Sequence, residues 1–408
     1  MISVDNFYFV LNKNLFEPLG ISAWGCYPFG STTLVPLNKS RHSLTWETRP
    51  KLEIILWDQE PFDFRLYKNS INSDDCRIGG LRPNVIAVSD ICRESQIVPY
   101  NWYYFFHGFA ALDWYRDAQY LPLLNNTFSN VFICLNRLVT KERSYRLALV
   151  ADLINKDLIK YGAVSLTSKE TWPNEINDSN TKLTSQQIEL ITSVFSRHTE
   201  DLYLDSKDTP GWASAGMSSD EVELFQDSFL HVVTETIFYS KKLHLTEKIF
   251  RPIVMCRPFV LAGAVGNLAY LKRYGFQTFD RWWDESYDLE TDPAKRLEKI
   301  TAVIDQLCKL SITELQDMYQ EMLPVIRHNQ EHFYNGFKKH IVNELLDNYV
   351  QLLTTLNDKF NLEGLGQSTR NDRENRDLHY SSPSGNLGNH CFDIDSLNIP
   401  LLKQTWSK

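Results

Sequence analysis

Apolar positions along the chain follow two rhythms. In the first third they come as short runs: Phe7 to Leu11, Leu52 to Trp57 (Leu-Glu-Ile-Ile-Leu-Trp), Asn84 to Val88, and the aromatic-rich Trp102 to Phe106. Each is bounded by Pro, Gly, Asn or Asp and is rich in β-branched or aromatic residues, which predicts buried strands. This first unit closes near residue 125, and Leu123 to Asn130 reads as a linker.

A second unit opens with a strand over 130 to 135 (Asn-Val-Phe-Ile-Cys-Leu). A helix over 143 to 159 follows, in which Leu147, Val150, Leu153 and Leu158 recur near helical spacing. The pattern then predicts a helix over 187 to 197, a strand over 228 to 235, a helix over 246 to 256, a strand over 258 to 262, and a helix over 267 to 274 closed by Gly275. Strand alternating with helix implies a parallel sheet and the α/β class. Residues 291 to 360 carry Leu and Ile among charged spacers, the pattern of amphipathic helices that pack back on a domain. Beyond Gly364 the composition turns to Asn, Ser, Gly, Asp and Arg, too polar to order itself except at Phe392 to Trp406. The expected units are 1–125, 126–310, terminal helices over 311–362 and a mobile polar tail over 363–408.

Composition narrows the classes. A chain of 408 residues exceeds one ordinary core, in keeping with two units. Its formal charge of -9 argues against wrapping a nucleic acid over a broad basic face. The seven cysteines are scattered, odd in number and free of Cys-x-x-Cys pairs, so neither a disulfide framework nor a structural zinc site is expected, and a reducing cytoplasm is the simplest home. Met1 to Leu11 lacks the basic-then-apolar order of a signal peptide, and no run approaches the ~20 apolar residues of a membrane span.

The segment Thr246 to Cys256 separates two helix faces. Ile249, Phe250, Ile253 and Val254 form an apolar stripe, leaving Glu247, Lys248 and Arg251 on the other side. A nucleoside diphosphate needs an acceptor for its ribose hydroxyls, cations for its pyrophosphate and, at best, a helix N-terminus; all three are offered here. The same spacing also fits an exposed helix with a Glu247–Arg251 pair one turn apart. Two neighbours favour the ligand site: the strand running into Thr234-Glu235-Thr236, and the strand 258–262 running into Gly263-Ala-Val-Gly266, since strand ends in parallel sheets open on the ligand crevice. Pro252 predicts a kink that frees a carbonyl near Lys248.

Leu-Thr-Glu-Lys-Ile-Phe-Arg-Pro-Ile followed by Arg-Pro-Phe-Val-Leu-Ala-Gly resembles the donor-binding segment of GT-B glycosyltransferases, and is similar to the Thr-Glu-Lys-aromatic motif of α-1,3-fucosyltransferases. The resemblance spans roughly residues 130 to 285. It implies a fold of two Rossmann-like domains facing a cleft, ribose binding by Glu247 and diphosphate binding by Lys248. Thr246, Arg251, Glu235 and Gly263 stand beside them as donor-binding candidates on the helix-face and strand-end reading above. It also implies a phosphate-binding arginine at the start of the second domain, where Asn136-Arg137 and Arg143-Ser-Tyr-Arg146 offer candidates. The co-substrate would be a nucleotide-sugar such as a UDP- or GDP-sugar. Asp58-Gln59-Glu60-Pro61, His107-Gly108-Phe109 and Trp282-Trp283-Asp284-Glu285-Ser286-Tyr287-Asp288 together look like a family of uncharacterised glycosyltransferases of large tailed phages and some bacteria.

An inverting transfer needs a general base for the acceptor hydroxyl. Asp58 and Glu60 stand at the end of a buried strand and come first, then Asp113, then His107; each also fits a cap, a turn carboxylate or a satisfied buried histidine. The 282–288 loop suits a sugar, or equally an aromatic plug whose acids cap turns. No Asp-x-Asp ends a strand, and Asp74-Asp75 reads as a solvated turn, so no metal is expected; Lys248, Arg251 and a helix N-terminus would meet the leaving-group charge. The acceptor is a glycan or a hydroxymethylated base in phage DNA. Lys68, Arg77, Arg82 and Arg93 permit a path for the latter. A non-catalytic nucleotide-sugar-binding protein is the rival of a different class. A dinucleotide-dependent oxidoreductase lacks its Gly-x-Gly-x-x-Gly.

Overall fold

The computed structural model describes residues 126–166, 172–197, 202, 219–341 and 343–344, the strand segments 21–24, 52–57, 85–89 and 100–103, and residues 105, 107, 108, 111, 112, 115 and 118. Two parallel sheets result. In the first, β1 (Ile21–Trp24), β2 (Leu52–Trp57), β3 (Val85–Ser89) and β4 (Tyr100–Tyr103) lie side by side in chain order. Register pairs Ile54 with Ala23 and Ile86, so β2 is an interior strand. Of the expected strands, 52–57 forms as read and 84–88 shifts by one residue. The third, 102–106, moves earlier, because Phe105 leaves the strand to enter an aromatic cluster with Phe250, Tyr270, Tyr274 and Phe337. β1 was not anticipated: four residues with one β-branched side chain give little pattern. The expected strand at 7–11, the linker's first half and the polar tail lie outside the described residues.

The second sheet has the order β6-β5-β7-β8, again all parallel. Its strands are β5 (Asn130–Asn136), β6 (Gly162–Leu166), β7 (Ser228–Thr234) and β8 (Phe259–Ala262). Every residue of β7 and β8 is buried, as expected of strands covered on both faces. The helices are α1 (Tyr145–Asn155), α2 (Trp172–Ile176), α3 (Ser185–Arg197), α4 (Ser219–Gln226), α5 (Glu247–Val254), α6 (Asn267–Arg273), α7 (Pro293–Cys308) and α8 (Ile312–His332). α1 is shorter than its periodicity suggested, because single 3-10 turns at Lys141–Arg143 and Ile159–Tyr161 bracket it. Gly275 closes α6 with φ +91°, a left-handed position that favours glycine.

The strand order fixes where a ligand crevice can form. The chain leaves β5 toward β6 on one side and leaves β7 toward β8 on the other, so the connections diverge between the carboxyl ends of β5 and β7. The residues at that point are Asn136 to Val139 and Glu235 to Ile237.

Of the expected terminal helices, α7 and α8 pack back on the second sheet and its helices, while residues 345–362 lie outside the described residues. α7 starts on Asp292 and Pro293, and α8 on a Ser311–Glu314 capping box. Tyr319 on α8 donates to the Cys256 carbonyl, and Gln330 donates to the carbonyl of Val254 at the end of α5. A π-helical turn, Phe333–Phe337, then sets Phe333 and Phe337 against Phe250. The described residues around 105–118 dock on this same surface. Tyr334 donates to the Tyr115 carbonyl, and Gly108 sits so close that a Cβ there would lie 2.8 Å from Phe337. Among the described residues no helix is long and apolar enough to cross a membrane.

Candidate functional site

α5 begins where the sequence predicted, capped by Thr246, whose hydroxyl accepts from the Lys248 amide at 3.3 Å. Ile249, Phe250, Ile253 and Val254 are fully or almost fully buried, which confirms the apolar stripe. Thr246 is itself held from below by Glu235, the first residue after β7. One Glu235 oxygen accepts from the Thr246 amide at 3.0 Å, and the other accepts from its hydroxyl at 2.6 Å and from the Thr236 amide at 3.3 Å. Glu235 therefore orients the start of α5 at the sheet's switch point. Glu235 is wholly buried, and that burial raises its carboxyl above the usual range against the opposing pull of Lys248 and Thr246.

Glu247 behaves in the opposite way. Its Oε1 lies 2.8 Å from Lys248 Nζ, and its Oε2 lies 3.5 Å from His107 Nδ1. Burial alone would raise this carboxyl too, but Lys248 and His107 overcome it and hold the group well below the usual carboxylate range. Two acids at one helix start are thus driven apart in acidity, an arrangement that suits functional sites. The Lys248 side chain is 34% exposed while that of Glu247 is 7% exposed, so the ammonium covers the carboxylate from the solvent side.

Below these groups lies a rigid platform. His244 meets the His107 ring edge to face, with centroids 5.0 Å apart. Asn267 clamps the His244 backbone on both sides, accepting from its amide at 3.2 Å and donating to its carbonyl at 3.1 Å. Gly263 makes room for that clamp: a Cβ there would stand 2.6 Å from Asn267 Nδ2. Its place in the site is one of packing, beneath the helix start.

The predicted cations are distributed differently from the sequence expectation. Arg251 does not join the Glu247 and Lys248 cluster. Its guanidinium lies over the Phe225 ring at 5.2 Å, at the far end of β7, because one helical turn carries it toward the amino edge of the sheet. Arg146 is buried. It donates to the carbonyl of Leu138 at 2.7 Å and to those of Thr234 and Glu235 at 2.7 and 3.2 Å, so it staples the exits of β5 and β7 together. Asn136 is spent in the same fashion, with its side-chain amide on the Ser165 carbonyl at 3.2 Å. Arg143 is buried in the adjoining turn. Arg137 alone of the four is exposed, directly past the carboxyl end of β5. Asp58, Glu60 and Asp113 lie outside the described residues.

Some contributors were not read from the sequence. Tyr145 donates to the carbonyls of Glu235 and Ala262, tying β7 to β8. Glu142 accepts from the amides of Tyr239 and Ser240 at 3.0 and 3.1 Å, so it pins the loop between β7 and α5. Neither follows a motif, and Glu142 lies in the 3-10 turn well past the end of β5. The 282–288 loop takes the second of its two expected forms. Asp288 caps α6 through the amides of Leu268 and Ala269, Glu285 accepts from Thr278 and Phe279, and Trp283 and Tyr287 are buried. Cys134, Cys256 and Cys308 are buried and unpaired. Compared with family models, curated proteins and solved structures, the chain matches none.

Proposed function

We propose that the protein is a glycosyltransferase of GT-B type, in which the second parallel sheet binds a nucleotide-sugar at the start of α5. The observation that carries this reading is the position of the Thr246-Glu247-Lys248 helix start. It stands at the carboxyl ends of β5 and β7, where the strand order reverses and α/β sheets hold their ligands. A helix N-terminus there, one ionised carboxylate and one accessible ammonium supply what a ribose and a diphosphate require.

Lys248 rests on Oε1 of Glu247. The donor diphosphate draws the ammonium away, and Oε1 then accepts the ribose hydroxyls. The leaving diphosphate is stabilised by Lys248 and by the positive N-terminal end of the α5 dipole. Arg137, exposed just past the carboxyl end of β5, is the candidate second cation for the diphosphate. The general base for the acceptor hydroxyl is drawn from Asp58 and Glu60, which follow directly in sequence on the interior strand β2. His107 is a poor candidate for that task, since its side chain is only 2% exposed.

Thermal denaturation of the full chain with UDP, GDP and their sugars tests the reading, because a ligand that binds only the folded state raises the melting temperature. A nucleoside diphosphate is expected to raise the melting temperature of the wild type and to leave that of the Lys248→Ala, Glu247→Ala double variant unchanged. The absence of a shift with every nucleotide, or an equal shift in the double variant, would overturn it.

A further inference from the structure

We infer that His107 is a positioning residue for the ribose-binding carboxylate, fixing Glu247 so that the site selects ribonucleotides over nucleotides that lack the 2′ and 3′ hydroxyls. The inference rests on the nucleotide-binding reading above and adds to it a residue outside the second sheet.

Three observations carry it. First, the two oxygens of Glu247 have different partners: Oε1 faces Lys248 at 2.8 Å, and Oε2 faces His107 Nδ1 at 3.5 Å. When the diphosphate draws Lys248 away, Oε1 becomes free and His107 is the partner that remains on the carboxylate. A buried carboxylate stripped of its counter-charge is costly, so a second donor on Oε2 is what allows Lys248 to leave. Second, both side chains of the contact are buried, at 2% for His107 and 7% for Glu247, so water does not replace either partner. Third, the ring is fixed from several sides. His244 meets it edge to face at 5.0 Å, and Gly108, the next residue, is packed against Phe337 and Ile341. Tyr115 also ties the 105–118 segment to α5, through a 3.3 Å bond from its hydroxyl to the Glu247 carbonyl. The contact at 3.5 Å is longer than a charged hydrogen bond of ~2.8 Å, which leaves room for tightening once Lys248 has moved.

The chemistry of the ring gives a test that a purely structural role would not pass. In asparagine the side-chain nitrogen can occupy the place of Nδ1, whereas in glutamine it reaches the place of Nε2. The full chain is compared as wild type, His107→Leu, His107→Asn and His107→Gln, each confirmed as folded by its thermal melt. Affinities for UDP and GDP and for their 2′,3′-dideoxy counterparts are measured by calorimetry. The wild type is expected to favour the ribonucleotide by on the order of 10-fold, as two hydrogen bonds to a charged acceptor allow. His107→Leu and His107→Gln lose that preference to within about 3-fold while the dideoxy nucleotide binds much as before, and His107→Asn restores it. Full preference in folded His107→Leu, or equal rescue by Asn and Gln, overturns the role of Nδ1. Nucleotide binding by the wild type without any preference overturns it while leaving the nucleotide site intact. A wild type that binds no nucleotide removes the underlying reading, and this inference with it.

Discussion

Thr246 and Glu235 are joined twice, through the amide at 3.0 Å and through the hydroxyl at 2.6 Å, across the gap between the end of β7 and the start of α5. The pair makes the helix start a fixed extension of the sheet. Thr246→Val keeps the shape but removes the hydroxyl that caps Lys248 and bonds Glu235. It is expected to destabilise the fold by about 2 kcal/mol, combining a lost cap with a less satisfied buried carboxyl. Thr246→Ser retains the hydroxyl and should cost less than about 1 kcal/mol. Urea denaturation of the two variants checks this; equal losses would show that the hydroxyl contributes nothing.

The two acids at this helix start should leave opposite marks on the pH dependence of stability. Glu247 is held below its ordinary value in the folded chain, so its contribution is present above the ordinary carboxylate range and is lost as pH falls through the depressed folded value. Glu235 is raised by burial, so its contribution is complete below the ordinary range and is lost as pH rises through the raised folded value. Urea midpoints taken from about pH 3 to pH 8 should therefore give a flatter acid limb for Glu247→Gln than for the wild type. Glu235→Gln, although less stable throughout, should lose part of the decline on the other side of the carboxylate range. Curves that run parallel to the wild type in both variants would contradict the assignments.

Gly263 should tolerate no side chain, for a reason that lies in its neighbour. A Cβ there would meet Asn267 Nδ2 at 2.6 Å, and Asn267 cannot yield without releasing both backbone groups of His244. Leaving an amide and a carbonyl buried without partners makes Gly263→Ala cost on the order of 3 kcal/mol. In an Asn267→Ala background the same change should cost under about 1 kcal/mol, since the obstructing amide is already gone. A double-variant cycle with no coupling would show that the strain lies elsewhere.

Much of this arrangement is legible in the chain; the rest is hidden by weak local patterns or by contacts that spacing does not encode. β5 and β8 are apolar runs because both faces are covered, β7 keeps that character on either side of the buried His231, and the stripe Ile249, Phe250, Ile253 and Val254 declares the buried face of α5. β6 (Gly-Ala-Val-Ser-Leu) escapes the pattern because a glycine and a serine interrupt its apolar character, and α4 because it is short and its Val222, Leu224 and Phe225 are set among polar residues. Helical spacing assigned Arg251 to the correct side of α5 but could not say that one turn of rise moves it off the site and onto Phe225. The contact between His107 and Glu247 joins residues far apart in the chain, and no periodicity encodes it. Arg146 drew attention as a cation near a strand end. Its use as a staple depends on which carbonyls the fold brings within reach, and that is a property of the sheet order.

Lys248 and Arg251 stand one turn apart on α5 but serve different ends of the sheet. A helix presenting Glu, Lys and Arg on one side invites the assumption that both cations serve the diphosphate. Here the Lys248 ammonium stands at the carboxyl edge of the sheet on Glu247, whereas the Arg251 guanidinium lies over Phe225 beside α4. Lys248→Met should therefore weaken nucleoside diphosphate affinity by at least about 10-fold, the effect of losing one charge-assisted contact, with little change in melting temperature. Arg251→Met should do the reverse: lose about 1 kcal/mol of stability with its stacking on Phe225, and bind the nucleotide as the wild type does. Calorimetry and thermal denaturation on both variants separate the two effects. If Arg251→Met weakened nucleotide binding as much as Lys248→Met, the guanidinium would have to leave Phe225 and cross a full turn of helix on ligand binding. The placement of the diphosphate at the start of α5 would then need revision.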